Sequence, residues 1–191
     1  MSTGGKKIAV IGAGPAGYTA AQELSKNGYT VDIYDKEDRL GGAIYTGIPE
    51  YRMSKIFLDK VFASMKEDKN ITFHFNTKID CERFEGLRKN YDKVLVATGA
   101  QIENTYGFEP GNGLYAGLTL LYDLNIRGNH EYYKKYKKAM VWGGGNVAMD
   151  CARSLVRIID DVSVVYRRSE EEITANKSEI RDARNENVKF N

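Results

Sequence analysis

The chain has 191 residues, 42% of them hydrophobic and 28% charged, with a formal net charge of +2. That is ordinary globular composition, long enough for one domain or one and a half, and too nearly neutral to argue for nucleic acid or a membrane surface as partner. Its two cysteines, Cys81 and Cys151, supply neither a disulfide framework nor a C-x-x-C redox or metal pair and read as buried small apolar residues.

No apolar run approaches the roughly 20 residues that span a bilayer. The N-terminus shows no signal-peptide pattern. The expected location is therefore the cytoplasm.

The first element is a short apolar strand, Ile8–Ile11, of the continuous kind that parallel sheets bury. Gly12-Ala13-Gly14-Pro15-Ala16-Gly17 follows and fits G-x-G-x-x-G. The first glycine permits the tight turn, the second lets a pyrophosphate approach the backbone, and the third lets helix pack close to strand. Pro15 suits a first helical turn, where its missing N–H does no harm. The helix places Ala16, Ala20 and Leu24 at four-residue spacing, stops at Asn27-Gly28, and leads to a strand over Val31–Tyr34, completing a βαβ unit. Asp35 lies 23 residues after Gly12, close to the roughly 20 expected for a carboxylate that accepts a ribose hydroxyl. Asp32 alternates to the face opposite Ile33 and is expected to be exposed.

A loop over 36–53 holds Gly41-Gly42 and Gly47-Ile48-Pro49. Ser54 caps a predicted helix whose apolar positions are Phe57, Val61 and Met65. Ile71–Phe75 alternates like a strand, with His74 outward. Lys93–Ala97 is a further apolar strand and ends in Thr98-Gly99. The stretch from Gln101 to Lys138 reads as irregular, a connection between domains at 1–100 and 139–191. His130 reads as a loop residue without a metal-ligand partner, and Tyr132–Lys138 as a solvated surface segment.

A second strand–turn–helix–strand unit then begins at Ala139–Trp142. Gly143-Gly144-Gly145-Asn146-Val147-Ala148 matches G-x-G-x-x-A, and the closing strand is Val162–Tyr166. Aligning Tyr166 with Tyr34 puts Arg167 where Asp35 stood. A carboxylate would repel a 2′-phosphate, whereas a guanidinium grips one. Arg167 and Arg168 thus argue for NADP(H) over NAD(H), the alternative being surface pairing with Glu170–Glu172. A last helix over 176–186 and the start of a strand at Val188–Phe190 close the chain. The order of elements predicts an α/β protein with parallel sheets.

Several of these stretches together resemble one family. Asp35-Lys36 followed by Gly41-Gly42, and Val94–Gly99 ending in Ala-Thr-Gly, look like FAD-binding flavoproteins. Gly47-Ile48-Pro49-Glu50-Tyr51-Arg52, Gly143–Asp150 and Tyr166-Arg167-Arg168-Ser169 are similar, in order, to the small-subunit (β) family of NADPH-dependent glutamate synthase and its relatives.

The resemblance implies FAD on a first Rossmann-like domain, NADPH on a second, and hydride transfer to the flavin, with Arg52 in a loop near it. The protein would position the cofactors, which carry the chemistry, so no side chain is required as catalytic acid or base. Electrons would leave to another protein, an iron–sulfur partner or a small acceptor, since no dithiol is present to receive them. Relatives continue further along both domains. The expectation is that both are incomplete here, the chain being a truncated reading frame or one half of a split enzyme whose fold another chain completes; the alternative function is a non-catalytic nucleotide-binding fragment. The cofactors that the resemblance implies are FAD and NADPH; nucleic acid, metal and membrane are not expected.

Overall fold

The computed structural model describes residues 5–191. Two compact units emerge: one takes in the chain up to Tyr45 together with Glu50–Gln101, the other Thr46–Pro49 together with Ile102–Asn191.

The first unit is built on β1 (Lys7–Ile11), α1 (Pro15–Lys26), β2 (Thr30–Tyr34), all but the last residue of the single turn α2 (Ala43–Thr46), α3 (Lys55–Met65), β3 (Ile71–His74), α4 (Cys81–Asn90) and β4 (Lys93–Val96). Its four strands are parallel in the order β3-β2-β1-β4. Val10, Val31 and Ile33 are fully buried, as strands covered on both faces require. On the other face Ala9, Ile11 and Leu87 of α4 form a core with Tyr34, Phe84, Tyr91 and Val94 around it.

Helix phase differs from the sequence expectation in two places. α1 buries Gly17, Ala21 and Ser25 rather than the set led by Ala16. The cause is Gly17: a Cβ there would overlap the Gly12 carbonyl oxygen, so this position presses onto the turn and sets the helix rotation. α3, capped by the Ser54 side chain at the Phe57 N–H, buries Leu58 and Phe62 and leaves Ile56 and Phe57 outward. Both periodicities are helical; the buried stripe lies one residue over.

Asp32 corrects a third expectation. It is 4% exposed and accepts hydrogen bonds from Lys7 Nζ at 2.8 Å and Tyr91 Oη at 2.9 Å, with His74 Nε2 at 2.9 Å. His74 stacks on Tyr34 with ring centroids 4.5 Å apart. Burial raises the cost of the Asp32 charge, but the bonds from Lys7, His74 and Tyr91 outweigh it and hold the carboxyl below its ordinary range. Alternation put Asp32 on the correct face; that face is covered by α4, and the carboxylate enters it only because three partners meet it there.

The second unit contains α5 (Gly117–Tyr122), a π-helical turn over Asp123–Arg127, α6 (His130–Tyr133), β5 (Lys138–Trp142), α7 (Asn146–Val156), β6 (Asp161–Val165), a 3-10 turn at Glu170–Glu172, α8 (Lys177–Asn185) and β7 (Lys189–Phe190). The strands are parallel in the order β5-β6-β7.

The stretch 101–138, read as irregular, carries helical turns that insert Leu120, Leu121, Leu124 and Tyr133 into the same core as Met149, Val162 and Val164. Short turns with mixed polarity give little periodicity. Their helical state rests on tertiary partners such as Glu103, whose carboxylate accepts the Leu118 and Thr119 N–H groups at the start of α5. Asn125 Nδ2 donates to the Thr46 carbonyl at 2.9 Å, which ties Thr46–Pro49 to this unit.

α7 and α8 are joined by charge. Arg153, 7% exposed, pairs with Glu179 at 2.6 Å and with Glu186 at 2.8 Å, and Arg157 adds a second fork to Glu186. Among the described residues, no helix is long and apolar enough to cross a membrane, and no group of three or more His, Cys, Asp or Glu could hold a metal ion.

Candidate functional site

Each unit presents one glycine turn between a parallel strand and a helix. In the first unit Gly12 has φ +109°, and a Cβ there would overlap the Ala97 carbonyl oxygen. Only glycine serves. The contact also brings Thr98, two residues beyond the end of β4, against the turn, with Gly99 following at φ +70°. Gly14 caps α1 through its backbone, with no side-chain hydrogen bond at the helix start and Pro15 in the first turn. The N–H groups of the first helical turn and the positive end of the helix dipole are able to receive an anion. Gly41 N–H donates to the Ala13 carbonyl at 2.9 Å, and a Cβ on Gly42 would lie 2.8 Å from the Gly14 Cα. The adjacent glycines thus lie directly on the turn.

Asp35 accepts the Ala13 N–H at 2.6 Å through one carboxylate oxygen and the Glu37 N–H at 2.8 Å through the other. Each oxygen keeps a further lone pair, so the carboxylate can clasp the turn and still accept a hydroxyl. Lys36 is exposed, its Nζ 3.9 Å from Glu37. Arg52 lies exposed in the turn ahead of α3. The fold therefore gathers Gly12, Gly14, Gly17, Asp35, Gly41, Gly42 and Thr98; Ala16 and Pro15 stand at the exposed helix start.

The second turn repeats this plan. Gly143 has φ +148°, Gly145 caps α7 through its backbone, and Asn146 opens the helix. Val147 is exposed on the first turn of α7.

The strand register corrects the alignment made from sequence. Ile11 pairs with Tyr34 and Gly12 N–H donates to the Tyr34 carbonyl; Trp142 pairs with Val165 and Gly143 N–H donates to the Val165 carbonyl. Tyr166, not Arg167, is thus the counterpart of Asp35, and Arg167 that of Lys36. Matching the two tyrosines misplaced the register by one residue. The Tyr166 ring lies against Gly144, where a Cβ would come within 2.7 Å of it. The second unit thus carries an uncharged ring in the acid's place, followed by two exposed arginines. Glu172 is engaged by the Ser169 N–H and Oγ, at 3.1 and 3.0 Å.

The cysteines separate. Cys151 is buried on α7, where desolvation pushes its thiol well above the usual range and Sγ donates to the Gly117 carbonyl at 3.4 Å. Cys81 is exposed at the start of α4, against the expectation of burial, because it follows the Asp80 cap on a polar helix.

Two glycine turns on parallel α/β units raise the question of relatives, and residues 6–191 match the pyridine nucleotide-disulphide oxidoreductase family. The chain belongs to that family. It is 38% identical to the NADP(+)-dependent formate dehydrogenase subunit beta of Moorella thermoacetica, over 97% of this chain and 27% of that protein. It is 33% identical to the glutamate synthase [NADPH] small chain of Escherichia coli, over 97% of this chain and 42% of that one. The chain thus spans less than half the length of these relatives. In fold it is similar to Mycobacterium tuberculosis FprA, solved in complex with NADPH, with a TM-score of 0.81 over 95% of this chain, 48% of that one, at 23% identity. As a family member the chain is α/β with parallel Rossmann-like sheets, as the order of elements predicted.

Proposed function

We propose that this chain forms the dinucleotide-binding part of an NADPH-dependent flavoprotein oxidoreductase, with FAD on the first glycine turn and NADPH on the second. The observation that carries the reading is the pair of like-built turns with unlike answers, a carboxylate at Asp35 and an uncharged Tyr166 followed by Arg167 and Arg168. The names of the relatives, with NADP(+) or NADPH in them, support it.

The residues present fit both groups. Cβ atoms at Gly12 and Gly17 would fill the turn, and each helix start is left to its own N–H groups. In the first unit Gly14 and the N-terminus of α1 would face the pyrophosphate, Asp35 the adenosine ribose, and Gly41-Gly42 and Thr98-Gly99 would border the cofactor. In the second, Gly143, Gly145 and the start of α7 would take the pyrophosphate, and Arg167 and Arg168 the 2′-phosphate. When bound, the two cofactors supply hydride transfer from nicotinamide to flavin. The chain's own task is to bind and orient them. Electrons would pass on to an acceptor protein, an iron–sulfur partner or a small molecule, in the cytoplasm.

The test is the visible spectrum of the purified chain with FAD, followed by anaerobic NADPH. Flavin retained and bleached by NADPH supports the whole reading. Flavin and NADPH bound without bleaching supports the alternative of a nucleotide-binding piece that needs further chain for catalysis. Failure to bind either dinucleotide overturns both.

A further inference from the structure

The second turn is three glycines in a row, Gly143-Gly144-Gly145, and such a run is conformationally loose unless something outside it holds it. The structure supplies the hold from the segment ahead of α8. The Gly144 carbonyl accepts two hydrogen bonds, from the Ala175 N–H at 2.8 Å and from the Thr174 hydroxyl at 3.1 Å. One residue on, Asn146 Oδ1 accepts the Asn176 N–H at 2.9 Å. The first turn offers a comparison: its equivalent carbonyl, Ala13, accepts one such bond, from Gly41 N–H. Thr174 is thus an additional fastening that the first turn does not need, since Ala13 already has a side chain and the Asp35 clasp.

A peptide group is planar and trans, so a carbonyl held at one end fixes the N–H at the other. Holding the Gly144 oxygen therefore fixes the direction of the Gly145 N–H at the start of α7.

We propose that Thr174 and Asn146 are positioning residues for dinucleotide binding at the second turn. Thr174 locks the Gly144–Gly145 peptide through the carbonyl, and Asn146 staples the 174–176 segment in place through the Asn176 N–H. Asn146 thereby acts through the protein backbone rather than by touching the ligand. Preorganisation of this kind strengthens binding by removing an ordering cost. It acts on the pyrophosphate common to NADPH and NADH, whereas Arg167 and Arg168 discriminate between them. The inference rests on the reading of the second turn as a dinucleotide site.

The experiment is equilibrium titration of the full chain with NADPH and, separately, with NADH, comparing wild type with Thr174→Val, Thr174→Ser, Asn146→Ala and Asn176→Pro. Asn176 has φ −57°, which proline accepts, so that variant deletes the N–H and leaves Asn146 intact. Thr174→Val should raise both Kd values by a common factor of about three to ten, the worth of one hydrogen bond, and Thr174→Ser should restore them. Asn146→Ala and Asn176→Pro should weaken both ligands to a similar degree.

Unchanged Kd values in Thr174→Val, or a loss confined to NADPH, would overturn the proposal for Thr174. A loss in Asn146→Ala with none in Asn176→Pro would make Asn146 a direct ligand contact and overturn its positioning role. A wild-type chain that binds neither dinucleotide would instead remove the site itself, an outcome distinct from both.

Discussion

Asp35 and Ala13 are joined by a 2.6 Å hydrogen bond from the Ala13 N–H to the Asp35 carboxylate, which makes the acid at the end of β2 a clasp on the first glycine turn. Its second oxygen holds the Glu37 N–H. Asp35→Ala should therefore do two things at once. It should lower the unfolding free energy by about 1–3 kcal/mol, for hydrogen bonds to a charged group, and weaken FAD. Urea unfolding without cofactor and FAD titration separate the two effects. A stability unchanged from wild type would show that the clasp is energetically idle.

Gly12→Ala should be more damaging than an ordinary turn substitution. The new methyl would overlap the Ala97 carbonyl oxygen, and the residue would be held at φ +109°. Backbone cannot give way as a flexible side chain can. Overpacking alone costs about 1–3 kcal/mol, and the positive φ adds to it. The check is thermal unfolding of the FAD-free chain. A melting temperature within a degree of wild type would refute the packing role of this contact.

Arg167→Ala should weaken NADPH far more than NADH. Loss of a charge-assisted contact is worth about 1.5–3 kcal/mol, or roughly 10- to 150-fold in Kd. Since the register makes Tyr166 the counterpart of Asp35, and Arg167 that of Lys36, Arg168→Ala is the necessary companion variant. An effect confined to Arg168 would move the 2′-phosphate contact by one residue, and equal weakening of NADPH and NADH in both variants would remove it.

Acid should loosen the α7–α8 contact. Burial opposes the Glu186 charge, but the guanidinium groups of Arg157 and Arg153 hold its carboxyl at about 2, against an ordinary 4.5. A depressed carboxylate contributes stability that is fully present above the unfolded value and is lost as pH falls through the folded one. The window is therefore pH 4.5 down to about 2. Glu186→Gln should cost about 1–2 kcal/mol at pH 7, allowing for its partial exposure, and the gap from wild type should close by the lower end of that window. A gap independent of pH would mean that packing rather than charge joins the helices.

Much of this fold could be read residue by residue. Continuous apolar runs such as Ile8–Ile11 mark strands because both faces of a parallel sheet are covered. The two glycine patterns are legible because helix start, close packing and anion approach each demand glycine at fixed spacing. Ser54 as a helix cap is likewise a local matter, settled within three residues of chain.

What the sequence by itself determined was the set of local elements, their order, and the two turns that close each strand onto a helix, since these depend on neighbours along the chain. The tertiary structure alone decided which stripe of α1 and α3 is buried, that Asp32 is enclosed by Lys7, His74 and Tyr91, that Leu120 and Leu124 of the seemingly irregular stretch belong to a core, and that Tyr166 holds in the second unit the position Asp35 holds in the first. Each of these depends on the phase or register between segments far apart in sequence. A shift of one residue there leaves every local preference satisfied, so it is steric contact such as that of Gly12 with the Ala97 carbonyl, and hydrogen bonding such as that of Gly143 with Val165, that selects the alignment.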